Sequence, residues 1–156
     1  MILEPERLLR VLELANRARA SGCGRSLREA LRAAGARSAA GEAEEVLDAV
    51  LDRPSRRLVV YGTLAPGEPN EWVLAGLEGE WRECRVRGGV SIRRGLRYFR
   101  WDPEAGEVRC LLFVSGRLPG MWPRLDAFEG PGYRRILVPA ELEGRVVAAN
   151  IYEGRE

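Results

Sequence analysis

The chain has 156 residues, 46% of them hydrophobic and four of them Trp, which is enough for one domain with a sizeable core and argues against wholesale disorder. The formal net charge is +2, with 25 basic and 23 acidic residues, so charge alone singles out neither nucleic acid nor membrane. There is no His, which excludes His-based triads, imidazole bases and most zinc sites; every basic residue is Arg.

Residues 1 to 53 read as an all-helical N-terminal extension. Pro5 suits a first helical turn, and Leu8, Val11, Leu12, Ala15 and Ala18 make an apolar stripe that Gly22 can end. Ser26 and Glu29 have capping-box spacing ahead of Leu27, Ala30, Leu31 and Ala34, with Gly35 as the stop. Val46, Leu47, Val50 and Leu51 mark a third helix that closes before Pro54. Such narrow faces make a thin core, so these helices are expected to pack on the rest of the chain or to associate with a second copy. The segment MILEPERLLR carries acids and lacks the apolar block of a signal peptide, and no apolar run reaches the about 20 residues needed to span a bilayer. With Cys23, Cys84 and Cys110 far apart and unpaired in sequence, a disulfide framework or metal site is not expected. The expectation is a cytoplasmic protein.

From residue 54 to 156 the pattern changes to strands. RLVVY (57–61) runs into a Gly/Pro-rich break and a short helix near Glu71 to Leu77. The stretch 81–101 alternates as two antiparallel strands, with Gly88-Gly89 predicted as their turn. DPEAG (102–106) is a turn and EVRCLLFV (107–114) a buried strand. Trp122, Leu125 and Phe128 suit a helix begun near Pro123 and stopped by Gly130. RRILVPAEL and RVVAANIY, split by Glu143-Gly144, form a closing hairpin. The fold class expected is α+β: a small mixed, mainly antiparallel β-barrel with flanking short helices.

Without imidazole, acid/base chemistry falls to carboxylates or Tyr. Glu129 stands where an apolar helix meets a Gly-rich turn, beside Phe128 and Trp122. A desolvated carboxylate there would titrate nearer neutrality, as a general base needs; a turn-stabilising or an Arg-paired Glu fits the same position. The Gly62-Thr63 break can leave backbone N–H groups free to cradle an anion, or be an ordinary turn. Cys110 reads as a small core residue. Arg82, Arg85, Arg87, Arg93, Arg94, Arg97 and Arg100 interleave with aromatics, and a solvated sheet face explains them better than a nucleic-acid surface.

Together, two stretches are more specific. VVYGTLAPGEPN resembles the YG(S/T)L-x-x-G-x-x-N opening of the γ-glutamylcyclotransferase-like (AIG2-like) family. LDAFEGPGYRRILVPAEL resembles its later L-D-x-F-E-G…Y-x-R-x-x-V segment, and AANIY its last strand, so that the resemblance covers residues 57–153. It implies a small barrel with a central cavity, in which Tyr61, Gly62, Thr63 and Leu64 hold a γ-glutamyl group by backbone N–H groups. Glu129 would be the acid/base and Tyr133 a wall residue, while Asn70 reads as the cap of the following helix. The implied reaction cyclises a γ-glutamyl amine or γ-glutamyl amino acid to 5-oxoproline and needs no cofactor or metal. The same barrel without activity, binding a small metabolite or a protein partner, is the alternative. The chain departs from the family between the motifs: VSIRRGLRYFRWD has Arg and aromatics in place of a Pro-bearing, cavity-lining segment, and EVRCLLFVSG has Arg-Cys-Leu in place of Gly-Glu and a hydrophobic residue.

Overall fold

The computed structural model describes residues 4–21 and 43–155. The predicted second helix, with its Ser26/Glu29 capping box, Gly22, Cys23 and Gly35, lies outside them. Helix α1 (Pro5–Ser21) starts at its Pro, with Glu6 in the first turn and Arg19 in the last, each of the sign favoured by the helix dipole. Helix α2 spans Ala43–Val50. Val11, Leu12, Leu14 and Ala15 of α1 and Leu47, Val50 and Leu51 share one buried cluster with Leu137 and Ala148 of the strands that follow. The helices thus pack on the rest of their own chain. Asn16 fastens the contact: its Nδ2 donates to the Leu137 carbonyl at 2.9 Å, and the Leu137 N–H donates to its Oδ1 at 2.7 Å. One side-chain amide does there what a neighbouring strand would do, satisfying backbone that would otherwise be buried unpaired.

The strands are β1 (Arg57–Val60), β2 (Glu80–Arg93), β3 (Leu96–Trp101), β4 (Glu107–Val114), β5 (Tyr133–Leu142) and β6 (Arg145–Gly154). Five close a ring in the order β1, β4, β2, β5, β6 and back to β1. Every pairing round the ring is antiparallel except β6 with β1, where Leu58 faces Asn150 and Val59 faces Ile151 in parallel. The result is the mixed, mainly antiparallel barrel expected from the sequence. Alternate residues point inward, so that Val59, Cys84, Val86, Cys110, Leu112, Ile136, Val138, Ala149 and Ile151 fill the interior with Phe99. Cys84 and Cys110 face each other across β2 and β4, and burial pushes their thiols up to about 12 and 11. They behave as small apolar fillers, as expected for Cys110.

Gly88-Gly89 is not a turn. Strand β2 runs straight through both residues and turns at Arg94-Gly95, where φ is 52° and 79°, between the paired residues Arg93 and Leu96. Two positive-φ residues are what a tight hairpin loop demands. Gly88 marks instead the point where β2 exchanges partners, pairing with β4 up to Arg87 and with β3 from Gly88 onward. A Cβ there would stand 2.2 Å from the Arg100 carbonyl and 2.7 Å from the Phe99 ring, so this glycine permits a close crossing. The closing hairpin does turn at Glu143-Gly144, with φ 50° and 75°.

Two short helices, α3 (Trp72–Ala75) and α4 (Trp122–Glu129), cover the outer side of β1 through Leu58, Val60, Leu74, Phe113, Leu118, Trp122 and Leu125. They set the rim on which the candidate site lies.

Candidate active site

Helix α4 is held from several sides. Trp122 and Leu125 are buried against the barrel, and the Trp122 Nε1–H donates to the Ser55 carbonyl at 3.0 Å. The Arg135 guanidinium lies 4.5 Å from the Trp122 ring and its Nε donates to Asp126 Oδ1 at 3.0 Å. Tyr152 donates its hydroxyl to the same oxygen at 2.7 Å. Spacings of three and four put Trp122, Leu125 and Glu129 on one helix face. The face that anchors the helix therefore also aims Glu129 inward. Gly130, at φ 75°, stops the helix immediately after it. Phe128 does not shelter Glu129 as expected: it points outward, edge-on to Trp72 at 6.0 Å. Cavity walls supply the burial, which raises the Glu129 carboxyl from its ordinary 4.5 to about 7. Among the described residues its carboxylate makes no hydrogen bond or ion pair, so the Arg-paired reading of this residue does not hold.

Opposite stands the loop after β1. Glu129, Tyr61, Gly62, Thr63, Leu64 and Tyr133 all line one cavity of about 290 Å³, together with Glu68, Arg97 and Tyr152. Every residue singled out in the sequence for the site is thus brought to one space. The loop side chains, however, are engaged elsewhere. The Tyr61 hydroxyl donates to the Tyr152 carbonyl at 2.6 Å and accepts the Phe99 N–H at 3.1 Å, clasping β6 to β3. Burial raises its hydroxyl well above the ordinary tyrosine value. Leu64 is buried in the α3–α4 layer. Thr63 Oγ1 accepts from Asn70 Nδ2 at 2.9 Å, and the Thr63 carbonyl accepts the Asn70 N–H at 2.9 Å. Asn70 therefore ties the loop shut instead of capping α3, whose first turn has no side-chain cap.

The loop's backbone is less engaged than its side chains. Among the described residues, the N–H groups of Gly62, Thr63 and Leu64 donate to no protein acceptor. At Gly62 a Cβ would meet nothing within 4 Å, so its missing side chain leaves open space at the cavity wall. Tyr133 forms a wall, stacked on Tyr98 with ring centroids 5.0 Å apart, and its hydroxyl donates to the Arg97 carbonyl at 2.8 Å. Burial lifts that hydroxyl to about 12. The chemical inventory is therefore a half-buried, unpaired carboxylate and three loop residues with unpaired amide donors, all lining one cavity. Among the described residues no cluster of His, Cys, Asp or Glu could hold a metal ion.

Residues 58–156 match the family described as gamma-glutamyl cyclotransferase, AIG2-like. The chain belongs to that family. The match begins at the barrel's first strand and leaves α1 and α2 outside it. No curated protein matches the sequence. Among solved structures, YkqA from Bacillus subtilis is similar with a TM-score of 0.53 and 26% identity, over 64% of this chain and 36% of YkqA. A protein from Arabidopsis thaliana solved in solution has a TM-score of 0.50 at 21% identity, over 64% of this chain and 68% of that one. An AIG2-like protein from Mus musculus has 19% identity and a TM-score of 0.49, over 63% of this chain and 76% of that one. The chain thus spans about a third of the length of YkqA and shares its fold with the Arabidopsis protein.

The sequence did not single out Glu68, Arg97 or Tyr152 as cavity residues. Arg97 stood in the segment departing from the family motif and Tyr152 in the last strand, but only the closed barrel brings either to the loop.

Proposed function

We propose that the protein is a cyclotransferase that converts a γ-glutamyl amine or γ-glutamyl amino acid to 5-oxoproline, with Glu129 as acid/base. One observation carries the reading: an unpaired carboxylate titrating near 7 lines the same small cavity as the free amides of Gly62, Thr63 and Leu64. In a γ-glutamyl compound the α-amine can reach its own γ-carbonyl carbon and close a five-membered ring. At neutral pH it is an ammonium ion and cannot attack. Glu129 removes a proton, the nitrogen adds to the γ-carbonyl carbon, and the carbonyl oxygen gains negative charge that the loop N–H groups stabilise. As the oxyanion collapses the γ-amide C–N bond breaks, Glu129 gives its proton to the departing nitrogen, the ring nitrogen sheds its second proton to the released amine, and 5-oxoproline and the amine, now an ammonium ion, leave. Bond making is intramolecular, so holding the chain curled supplies much of the acceleration.

The test is to incubate the protein with a panel of γ-glutamyl compounds and measure 5-oxoproline by mass spectrometry beside the Glu129→Gln variant. Release by the wild type and its loss in the variant is the expected result. A γ-glutamyl compound that raises the melting temperature without any 5-oxoproline release would refute the enzyme and favour a binding module.

A further inference from the structure

The cavity holding Glu129 adjoins a wider basin of about 1020 Å³, the two sharing Val60, Tyr61, Gly62, Glu68 and Arg97 as walls. A γ-glutamyl compound has two halves, a glutamyl half common to the class and a leaving group that varies. With the glutamyl half beside Glu129 and the loop amides, the leaving group extends into the basin, and the charges facing the basin select it.

Some of those charges are already matched. Arg82 pairs with Glu143 at 3.1 Å and Arg85 with Glu107 at 3.4 Å, while Glu141 lies 4.0 Å from Arg87. Among the described residues, Arg97, Arg109 and Arg145 line the basin with no ion pair, against Glu68 and Glu83 of opposite sign. Of the three cations, Arg97 alone lines both spaces. It is tied to the site at two points: its Nη1 donates to the Tyr61 carbonyl at 3.2 Å, and its own carbonyl accepts the Tyr133 hydroxyl at 2.8 Å. A guanidinium has five N–H donors in a planar fork, and only one is used here. The rest suit a carboxylate, which such a fork grips with two parallel bonds.

Resting on the reading above, we propose that Arg97 is a specificity-determining residue that binds the carboxylate of the leaving group. Arg109 and Arg145 add to the positive field of the basin. The favoured substrates are then γ-glutamyl amino acids and peptides whose leaving group has a free carboxylate, ahead of γ-glutamyl amines. Glu68, on the shared rim, suits the glutamyl α-ammonium. Because Arg97 is exposed to solvent, its grip on a carboxylate is screened, and the discrimination is about tenfold, not thousandfold.

The experiment compares γ-glutamyl-alanine with γ-glutamyl-alaninamide, which has the same shape without the negative charge. Wild type is expected to favour the acid about tenfold in kcat/KM. Arg97→Gln lowers kcat/KM for the acid through KM and leaves the amide nearly unchanged, Arg97→Lys recovers part of the preference, and Arg109→Gln has a smaller effect of the same kind. Equal use of both compounds by wild type, or an equal loss on both in Arg97→Gln, overturns the proposal, since Arg97 would then only support the loop. Calorimetric titration with the same pair separates the two claims. Tighter binding of the acid without 5-oxoproline release removes the cyclisation but keeps the role of Arg97; equal binding removes the role of Arg97.

Discussion

The two halves of the candidate site use their residues in opposite ways. In the loop at 61–64, side chains are scaffold: Tyr61 clasps two strands, Leu64 packs into a core layer, and Thr63 is bonded to Asn70. The loop's N–H groups at 62–64 are left without protein acceptors among the described residues. At the end of α4 the backbone is ordinary helix, and the side chain of Glu129 is the part left uncommitted. A loop that presents amides needs side chains that fix its shape. A helix that presents a carboxylate needs anchors elsewhere, which here are Trp122, Leu125 and Asp126.

This contrast predicts different failures for substitutions in the two halves. Glu129→Gln keeps the shape and removes the proton carrier, so turnover should fall by about 10²–10⁴-fold while binding of a γ-glutamyl compound, read by calorimetry, persists. Tyr61→Phe should do the reverse. It leaves the Phe99 N–H and the Tyr152 carbonyl without their partner, costing about 1–3 kcal/mol in denaturant unfolding. Turnover per folded molecule should change far less than in Glu129→Gln. If Tyr61→Phe keeps full stability but loses turnover, the hydroxyl is chemical and the contrast breaks.

Smaller effects sharpen it. Gly62→Ala adds a methyl group that meets no protein atom within 4 Å, so stability should stay within about 0.5 kcal/mol. The methyl projects toward space that substrate needs, so KM should rise several-fold in steady-state kinetics. Glu129→Gln should also show a pH-dependent gain in stability. The carboxyl titrates near 7 when folded and near its ordinary 4.5 when unfolded, so the folded protein binds more protons between those values. Stability supplied by the protonated form is present below about 4.5 and is lost as pH rises through about 7. The amide variant escapes that loss: its melting temperature should exceed wild type by several degrees at pH 8 and match it near pH 4.5.

Much of this architecture was legible in the residues. The apolar runs in 107–114 and 133–154 read as buried strands and are so, with β6 buried on both faces from Ala148 to Gly154, and Glu143-Gly144 is a tight turn in sequence and structure alike. Glu129 stood out because Gly130 stops its helix and Trp122 and Leu125 orient it. The errors share a cause, which is a partner distant in sequence. Gly88 reads as a turn until Phe99 and Arg100 cross it. Asn70 reads as a helix cap until Thr63 is found beside it. Asn16 looks like one polar residue on an amphipathic helix, and nothing local marks Leu137, 121 positions away, as its partner. Arg97 joins the cavity only once the β2–β3 hairpin folds back over the loop.

The central claim is that Glu129 moves the proton during cyclisation of what the loop holds. Its most direct measurement is kcat/KM for a γ-glutamyl amino acid between pH 5 and 9, which reports the essential base of the free enzyme. The account predicts a rise with a midpoint near 7, matching the folded carboxyl, and absent from the residual activity of Glu129→Gln. A flat profile, or a midpoint near 4.5 that survives the substitution, would contradict it.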